Sequence, residues 1–242
     1  MNALKDKVVV VTGASSGIGM AVAEKLSANG ALLMLGARRK ERLEELEARL
    51  PGPAAHQVVD VTRREQVEAL AQAALARFGR MDVWVSNAGV MPISPLAMDK
   101  VEDWERTVDV NVKGVLWGIH AALGHMLERG SGHFVNISSV GGLKVLPSCA
   151  VYCATKYAVR AIGDALRMET LGKVRVTTIY PGAVDTELVD SITVPEVRQA
   201  VDGLMSLAIP AGAIAEGVLY ALSQPAEVAV NDLVIRPSLQ EF

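Results

Sequence analysis

The sequence predicts an α/β fold, a doubly wound parallel sheet with helices covering both faces. Three observations lead there. Short apolar runs alternate with longer amphipathic stretches along the chain. The first run, Lys7 to Thr12, is nearly all valine, as a strand buried on both faces requires. A glycine-rich turn follows that run and leads into the first amphipathic stretch. Right-handed crossovers between parallel strands then leave the doubly wound arrangement as the natural topology.

The elements follow in order. Ile18 to Asn29 has helical spacing and is ended by Gly30. Ala31 to Gly36 is a second strand, and Arg39 to Leu50 is a charged helix stopped by Pro51. His56 to Val59 is a third strand, and Arg63 to Phe78 a helix ended by Gly79. Asp82 to Ser86 is a fourth strand, and Asp103 to Arg129 a long helical region. His133 to Ser138 and Val174 to Tyr180 are strands flanking the helix Val151 to Leu171. Ala213 to Ser223 is helical, and Val228 to Ile235 is a last strand. Residues Asp185 to Pro210 break the rhythm with two prolines and scattered apolar residues, the pattern of a lid over a site. No internal repeat is visible.

The chain has 242 residues, 50% of them hydrophobic, enough for a substantial core. Its glycines and prolines are spread along the chain with no linker-like stretch, so one domain over 1–242 is expected. A net charge of −3 favours neither nucleic acid nor an anionic membrane. Basic and acidic residues are interleaved, as in Lys40-Glu41-Arg42, which reads as a solvated helix face. Met1 to Lys7 carry no charged-then-apolar signal pattern, and no apolar run approaches the roughly 18 residues of a membrane span. Cys149 and Cys153 have no further metal ligands near them in sequence. They read as small apolar fillers in a reducing cytoplasm, and no metal is expected.

The turn after the first strand reads Thr12-Gly13-Ala14-Ser15-Ser16-Gly17-Ile18-Gly19. Glycines at 13, 17 and 19 let the backbone turn tightly and approach a ligand. The turn opens a helix, whose free N–H groups and dipole attract phosphate. A turn that merely packs helix on strand is the plainer reading. Its place between the first strand and first helix favours a dinucleotide. Where an acid would favour NAD, after the second strand, the chain has Arg38 and Arg39. Two guanidinium groups suit a 2′-phosphate, so NADP(H) is expected.

Tyr152 and Lys156 lie four residues apart, one turn along one helix face. A nearby cation should lower a phenol from its ordinary value near 10, letting it exchange a proton with an alcohol oxygen. Tyrosine and lysine often share a helix face without such a role. Here Ser139 precedes Tyr152 by 13 residues at the end of the fifth strand. Asn111-Val112-Lys113-Gly114, Asn87-Ala88-Gly89 and Pro181-Gly182 complete the set, the last two just after strand ends, where such sheets bind ligands.

In these motifs the sequence resembles the short-chain dehydrogenase/reductase family over nearly its whole length. TGxxxGIG, NAG, NVxG, serine, YxxxK and PG occur in the family's order. The resemblance implies a Rossmann-type, seven-stranded parallel sheet and an oxidoreductase that assembles as a homotetramer or homodimer. It implies that Tyr152 is the general acid in reduction and the base in oxidation. Lys156 binds the nicotinamide ribose and lowers the pKa of Tyr152; Ser139 bonds the substrate oxygen; Asn111 holds a relay water. Asp60 and Val61 match the adenine-binding pair, although Asp60 also suits a cap for the helix near Arg63. Asn87, Ala88 and Gly89 line the cofactor cleft. Pro181, Gly182, Val184 and Thr186 hold the nicotinamide side. Arg38-Arg39 and Val234-Ile235-Arg236-Pro237 look similar to an NADP-preferring branch containing carbonyl reductases and dehydrogenases of serine-like 3-hydroxy acids.

Val140, Leu146, Cys149 and, in the lid, Leu188 are the candidate substrate residues. Such an apolar wall suits an apolar or aromatic ketone or aldehyde. A 3-hydroxy acid is the alternative and needs a cation for its carboxylate, with Arg198 or Lys144 as candidates. A dinucleotide-sensing regulator has no need of Ser139, Tyr152 and Lys156 together, and a methyltransferase no need of Pro181-Gly182 with YxxxK.

Overall fold

The computed structural model describes residues 4–241, so Met1 to Ala3 of the opening segment lie outside the described residues. The elements run β1 (Val8–Thr12), α1 (Gly17–Ala28), β2 (Leu32–Ala37), α2 (Lys40–Arg49), β3 (Ala54–Val58), α3 (Arg64–Phe78), β4 (Val83–Ser86), α4 (Val101–Val108), α5 (Gly114–Glu128), β5 (Gly132–Ile137), α6 (Ala150–Glu169) and β6 (Val174–Pro181). A two-residue strand β7 (Val184–Asp185), α7 (Pro195–Met205), a second two-residue strand β8 (Ile209–Pro210), α8 (Ala211–Ser223) and β9 (Asp232–Ile235) follow.

Seven strands form one parallel sheet in the order β3-β2-β1-β4-β5-β6-β9. The sheet is the Rossmann-type, doubly wound arrangement. Alternate residues of each strand feed opposite faces. Val9, Val11, Leu33, Leu35, Val83 and Val85 pack under Leu26 of α1, Leu43 of α2 and Val218 of α8. Val10, Met34, Trp84 and Phe134 point the other way, against Leu70 of α3, Met126 of α5 and Leu166 of α6. This two-sided burial is why the strands lack polar alternation. The chain winds outward from β1 to β3 and then crosses back to β4, so the cleft opens where β1 and β4 part, above the strand ends.

Two elements differ from the sequence expectation. The helical region after Asp103 begins at Val101 and is interrupted: a π-helical turn, Asp109–Lys113, separates α4 from α5. The last strand is half the expected length. Arg175 donates to the carbonyls of Gln224, Pro225 and Val228, which removes that approach from the ladder. Pairing with β6 starts only at Thr178 and Asp232.

The lid is ordered locally. Thr186 caps a 3-10 turn, Glu187–Ser191, by accepting from the Leu188 N–H, and Pro195 opens α7. Its base is closed by the β7–β8 pair. Its middle is tied to the loop after β4, because the Met91 N–H donates to Ser191 Oγ at 3.1 Å. No described helix is long and apolar enough to cross a membrane.

Candidate active site

The glycine-rich turn is built by steric necessity. Gly13 has φ +66°, and a Cβ there would sit 2.8 Å from both Ala88 Cα and Asn87 Nδ2. A Cβ on Gly19 would fall on the Gly13 carbonyl oxygen and Asn87 Nδ2. Gly19 therefore works by packing: it is buried beneath the turn and does not line the cleft, unlike Gly13, Ser15, Ser16, Gly17 and Ile18. Asn87 Nδ2 donates to the carbonyls of Thr12 at 3.0 Å and Gly13 at 3.1 Å, fixing the turn from below. No side-chain cap satisfies the first-turn N–H groups of α1. A backbone held this tightly against a helix N-terminus fits the pyrophosphate of a dinucleotide.

The cleft is a single cavity of about 580 Å³ running along the strand ends. Arg38, Arg39, Asp60 and Val61 line it from beyond β2 and β3; Asn87, Ala88 and Gly89 follow β4; Pro181, Gly182 and Val184 line it at and beyond the end of β6, and Thr186 comes back against Gly17. Asp60 does not cap α3. Its carboxylate accepts from Thr62 N at 3.0 Å and Thr62 Oγ1 at 2.8 Å. Burial pushes this carboxyl up, but the two Thr62 bonds and the charges of Arg38 and Arg63 hold it below its ordinary value.

Tyr152, Ser139 and Lys156 line the same cleft, Ser139 from just beyond β5 and the other two from α6. Ser139 Oγ accepts from the Gly141 N–H at 3.0 Å and is hydrogen-bonded to the Tyr152 phenol. Lys156 is only 6% exposed; its Nζ donates to the Ile137 carbonyl at 3.0 Å and lies 5.7 Å from the Tyr152 ring centroid. The expectation of a lowered Tyr152 pKa is corrected here. Burial pushes the phenol up to about 12, opposed by the bond to Ser139 and helped by Cys149 and Cys153. Burial also brings Lys156 down to about 8. Desolvation thus outweighs the attraction between the two groups, and at neutral pH the phenol keeps its proton.

Asn111 is 1% exposed and sits behind this wall rather than on it. The π-helical turn places it so that Oδ1 accepts from Val90 N at 2.9 Å. Its Nδ2 donates to Val90 O at 3.0 Å and Thr155 Oγ1 at 3.2 Å. A Cβ on Gly89 would lie 3.4 Å from Asn111 Oδ1 and 3.8 Å from Lys156 Nζ, so the three groups converge. π-turns of this kind are frequent at functional sites.

Val140, Leu146, Cys149 and Leu188 all line the cleft, joined by Met91, Ile93, Leu204 and Met205. Cys153 packs behind Cys149, and both thiols are free. Neither cation considered for a carboxylate lines the cleft. Arg198 is engaged by Asp190, Asp202 and the Val189 carbonyl, and Lys144 lies outside the wall. Two residues that sequence reasoning missed do line it. Arg106 reaches it from α4 and has no ion-pair partner among the described residues. Gln240, near the chain end, is 6% exposed and accepts from the Ala183 N–H at 2.9 Å. A Cβ on Gly182 would collide with the Gln240 side chain and sit 2.5 Å from Arg236 Cβ.

Known proteins resemble this chain over nearly its whole length. The short chain dehydrogenase family matches residues 7–196. An uncharacterized oxidoreductase of Staphylococcus saprophyticus is 48% identical over 246 aligned residues, spanning 100% of both chains. An alcohol dehydrogenase from the archaeon Thermococcus sibiricus, solved with 5-hydroxy-NADP, is 33% identical with a TM-score of 0.87 over 98% of each chain. A serine dehydrogenase solved with NADP+ is 32% identical with a TM-score of 0.89, covering 97% of this chain and 96% of that one. A short chain dehydrogenase/reductase from Burkholderia phymatum, solved with NAD, is 30% identical with a TM-score of 0.86, covering 98% and 91%.

Proposed function

The chain belongs to the short-chain dehydrogenase/reductase family, and from that premise we propose that it is an NADP(H)-dependent oxidoreductase interconverting an apolar or aromatic ketone or aldehyde with its alcohol. One observation carries the reading: a single cleft joins Arg38 and Arg39 at one end to Ser139, Tyr152 and Lys156 at the other. Arg38 and Arg39 would hold the 2′-phosphate, and the first turn of α1 the pyrophosphate. Gly182, Val184 and Thr186 would border the nicotinamide, with Lys156 at its ribose. A bound nicotinamide supplies or accepts the hydride.

The proton chemistry belongs to the chain. In reduction the carbonyl oxygen sits between the hydroxyls of Ser139 and Tyr152. As negative charge develops on that oxygen, the Tyr152 proton moves to it and Ser139 holds it by a hydrogen bond. The Lys156 ammonium stays beside the phenolate that remains, held in place by the Ile137 carbonyl. Oxidation reverses these steps, with the phenolate taking the alcohol proton. A phenol held near 12 is well supplied with its proton for reduction and sparingly ionised for oxidation at neutral pH. Asn111, tied to Val90 and Thr155, keeps the helix behind Tyr152 in register.

The substrate class is argued from the apolar lining: Ile93, Leu146 and Cys149 cluster with Tyr152, and Leu188 and Met205 line the same cavity. Arg106 favours a second reading, a serine-like 3-hydroxy acid, because it brings to the same cleft a cation with no ion-pair partner among the described residues. A single domain over 1–242 and a cytoplasmic place carry over from composition and cysteine usage, and a homodimer or homotetramer from the family resemblance. An apolar strip of exposed Leu96 and Val108 with half-buried Val112 and Val151 supports self-association. The test is reduced-nicotinamide absorbance with NADPH or NADH against aryl ketones, aldehydes and 3-oxo acids, with 3-hydroxy acids and NADP+ run in reverse. Consumption of NADPH with ketones is expected. Turnover confined to acids, and lost in Arg106→Ala, would replace this substrate class with the second. Cofactor binding without turnover of any compound would favour a dinucleotide-sensing role.

A further inference from the structure

Arg39 is already occupied. Its Nε and Nη2 donate to Ser15 Oγ at 3.2 and 3.1 Å, and Nη2 also donates to Ser16 Oγ at 2.6 Å. Both serines belong to the glycine-rich turn, so the guanidinium plane is braced across the end of the cofactor cleft. Its outer nitrogen, Nη1, donates to Glu187 Oε2 at 2.7 Å. Arg42, one turn further along α2, takes the other oxygen of the same carboxylate. Those hydrogen bonds from Arg42 and Arg39 hold the Glu187 carboxyl well below the usual carboxylate range.

Glu187 comes from the lid. It follows Thr186, whose methyl would lie 3.0 Å from a Cβ on Gly17, so the lid starts hard against the cofactor turn. Arg39, Ser15 and Ser16 line the cleft end beside Arg38 and suit a dianionic, three-oxygen group, while Arg42 stands outside the cleft wall. Glu187 takes part of that site with one oxygen and one negative charge.

We propose that Glu187 is a specificity-determining residue: an internal carboxylate, anchored by Arg42, that competes with the cofactor's 2′-phosphate for Arg39, so that docking the phosphate exchanges the lid clasp for the cofactor. This rests on the NADP(H) reading above. A cofactor without the 2′-phosphate leaves the clasp closed and gains nothing from its release. Glu187 therefore narrows the preference for NADP(H) over NAD(H) below what the arginines alone would give. An exposed ion pair and one repelling charge near the phosphate set the effect at roughly three- to tenfold.

The test is calorimetric binding of adenosine 2′,5′-bisphosphate and of 5′-AMP, which present the adenosine end with and without the 2′-phosphate. Wild type, Glu187→Gln and Glu187→Asp are compared, with urea unfolding confirming that each is folded. Expected is a bisphosphate preference that rises roughly three- to tenfold in Glu187→Gln and stays near wild type in Glu187→Asp, which keeps the charge. Hydrogen exchange at Glu187–Ser191 should rise in wild type on adding bisphosphate and not on adding 5′-AMP. An unchanged or reduced preference in Glu187→Gln, with wild type still favouring the bisphosphate, would overturn the competitor role and leave the NADP(H) reading standing. No preference in wild type or either variant would overturn both. A preference that emerges only in Glu187→Gln would support the competitor strongly.

Discussion

Replacing Lys156 by methionine separates what this residue does for the reaction from what it costs the fold. Lys156 is buried on the cleft wall, and burial brings its pKa from an ordinary 10.5 to about 8. Its folded pKa lies below its unfolded one, so the fold disfavours the charged form. That penalty is complete below about pH 8 and is relieved as pH rises from about 8 towards 10.5. The difference corresponds to roughly 3 kcal/mol. Methionine fills similar space without a charge but leaves the Ile137 carbonyl without its donor, which costs about 1 kcal/mol. Lys156→Met is therefore expected to be about 2 kcal/mol more stable than wild type at neutral pH, and to have lost its turnover. Urea unfolding of both proteins at about pH 6.5 and about pH 9.5 measures it, and other titrating groups cancel in the difference. The gap should shrink with rising pH. A variant less stable than wild type at neutral pH, or a gap independent of pH, would refute the reasoning.

Other outcomes follow from the same geometry. The rate of carbonyl reduction should hold steady in the acid-to-neutral range and fall as pH rises through about 8, where Lys156 gives up the proton whose charge steadies the phenolate. A pH–rate profile for Lys156→Arg, which stays charged, should lose that fall. Gly19→Ala drives a methyl into the Gly13 carbonyl and Asn87. It should lose about 1–3 kcal/mol in urea unfolding and weaken NADPH binding, read by nucleotide fluorescence. Gln240→Leu leaves the buried Ala183 N–H unpaired, at about 1–3 kcal/mol. It should raise the KM for NADPH while leaving binding of adenosine 2′,5′-bisphosphate unchanged.

The fold was legible because its information is local. Buried parallel strands need unbroken apolar runs such as Val8–Val11, and Gly30 and Gly79 end helices with positive φ. Tyr152 and Lys156 were legible because one helical turn sets their distance. What stayed hidden depends on partners far apart in the chain. Arg39 and Glu187 are separated by 148 residues, and Ala183 and Gln240 by 57. The π-helical turn at Asn111 leaves no mark, since its apolar residues continue the helical pattern on either side. The last strand looked longer than it is because nothing in Val228–Asn231 announces that Arg175 has claimed the carbonyls around Val228. Burial also reversed the expected shift at Tyr152. The spacing of tyrosine and lysine tells of attraction between them, while desolvation depends on the whole wall that encloses them.

The most direct measurement is transfer of the label from NADPH deuterated at the hydride-donating position, with an aryl ketone substrate, in wild type and Tyr152→Phe. Expected is an alcohol carrying one deuterium at the former carbonyl carbon. Tyr152→Phe should bind NADPH as wild type does and form that product roughly 10²–10⁴-fold more slowly. Cofactor oxidation without label in the product, or full activity in Tyr152→Phe, would contradict the assignment of hydride transfer to this cleft with Tyr152 as its acid.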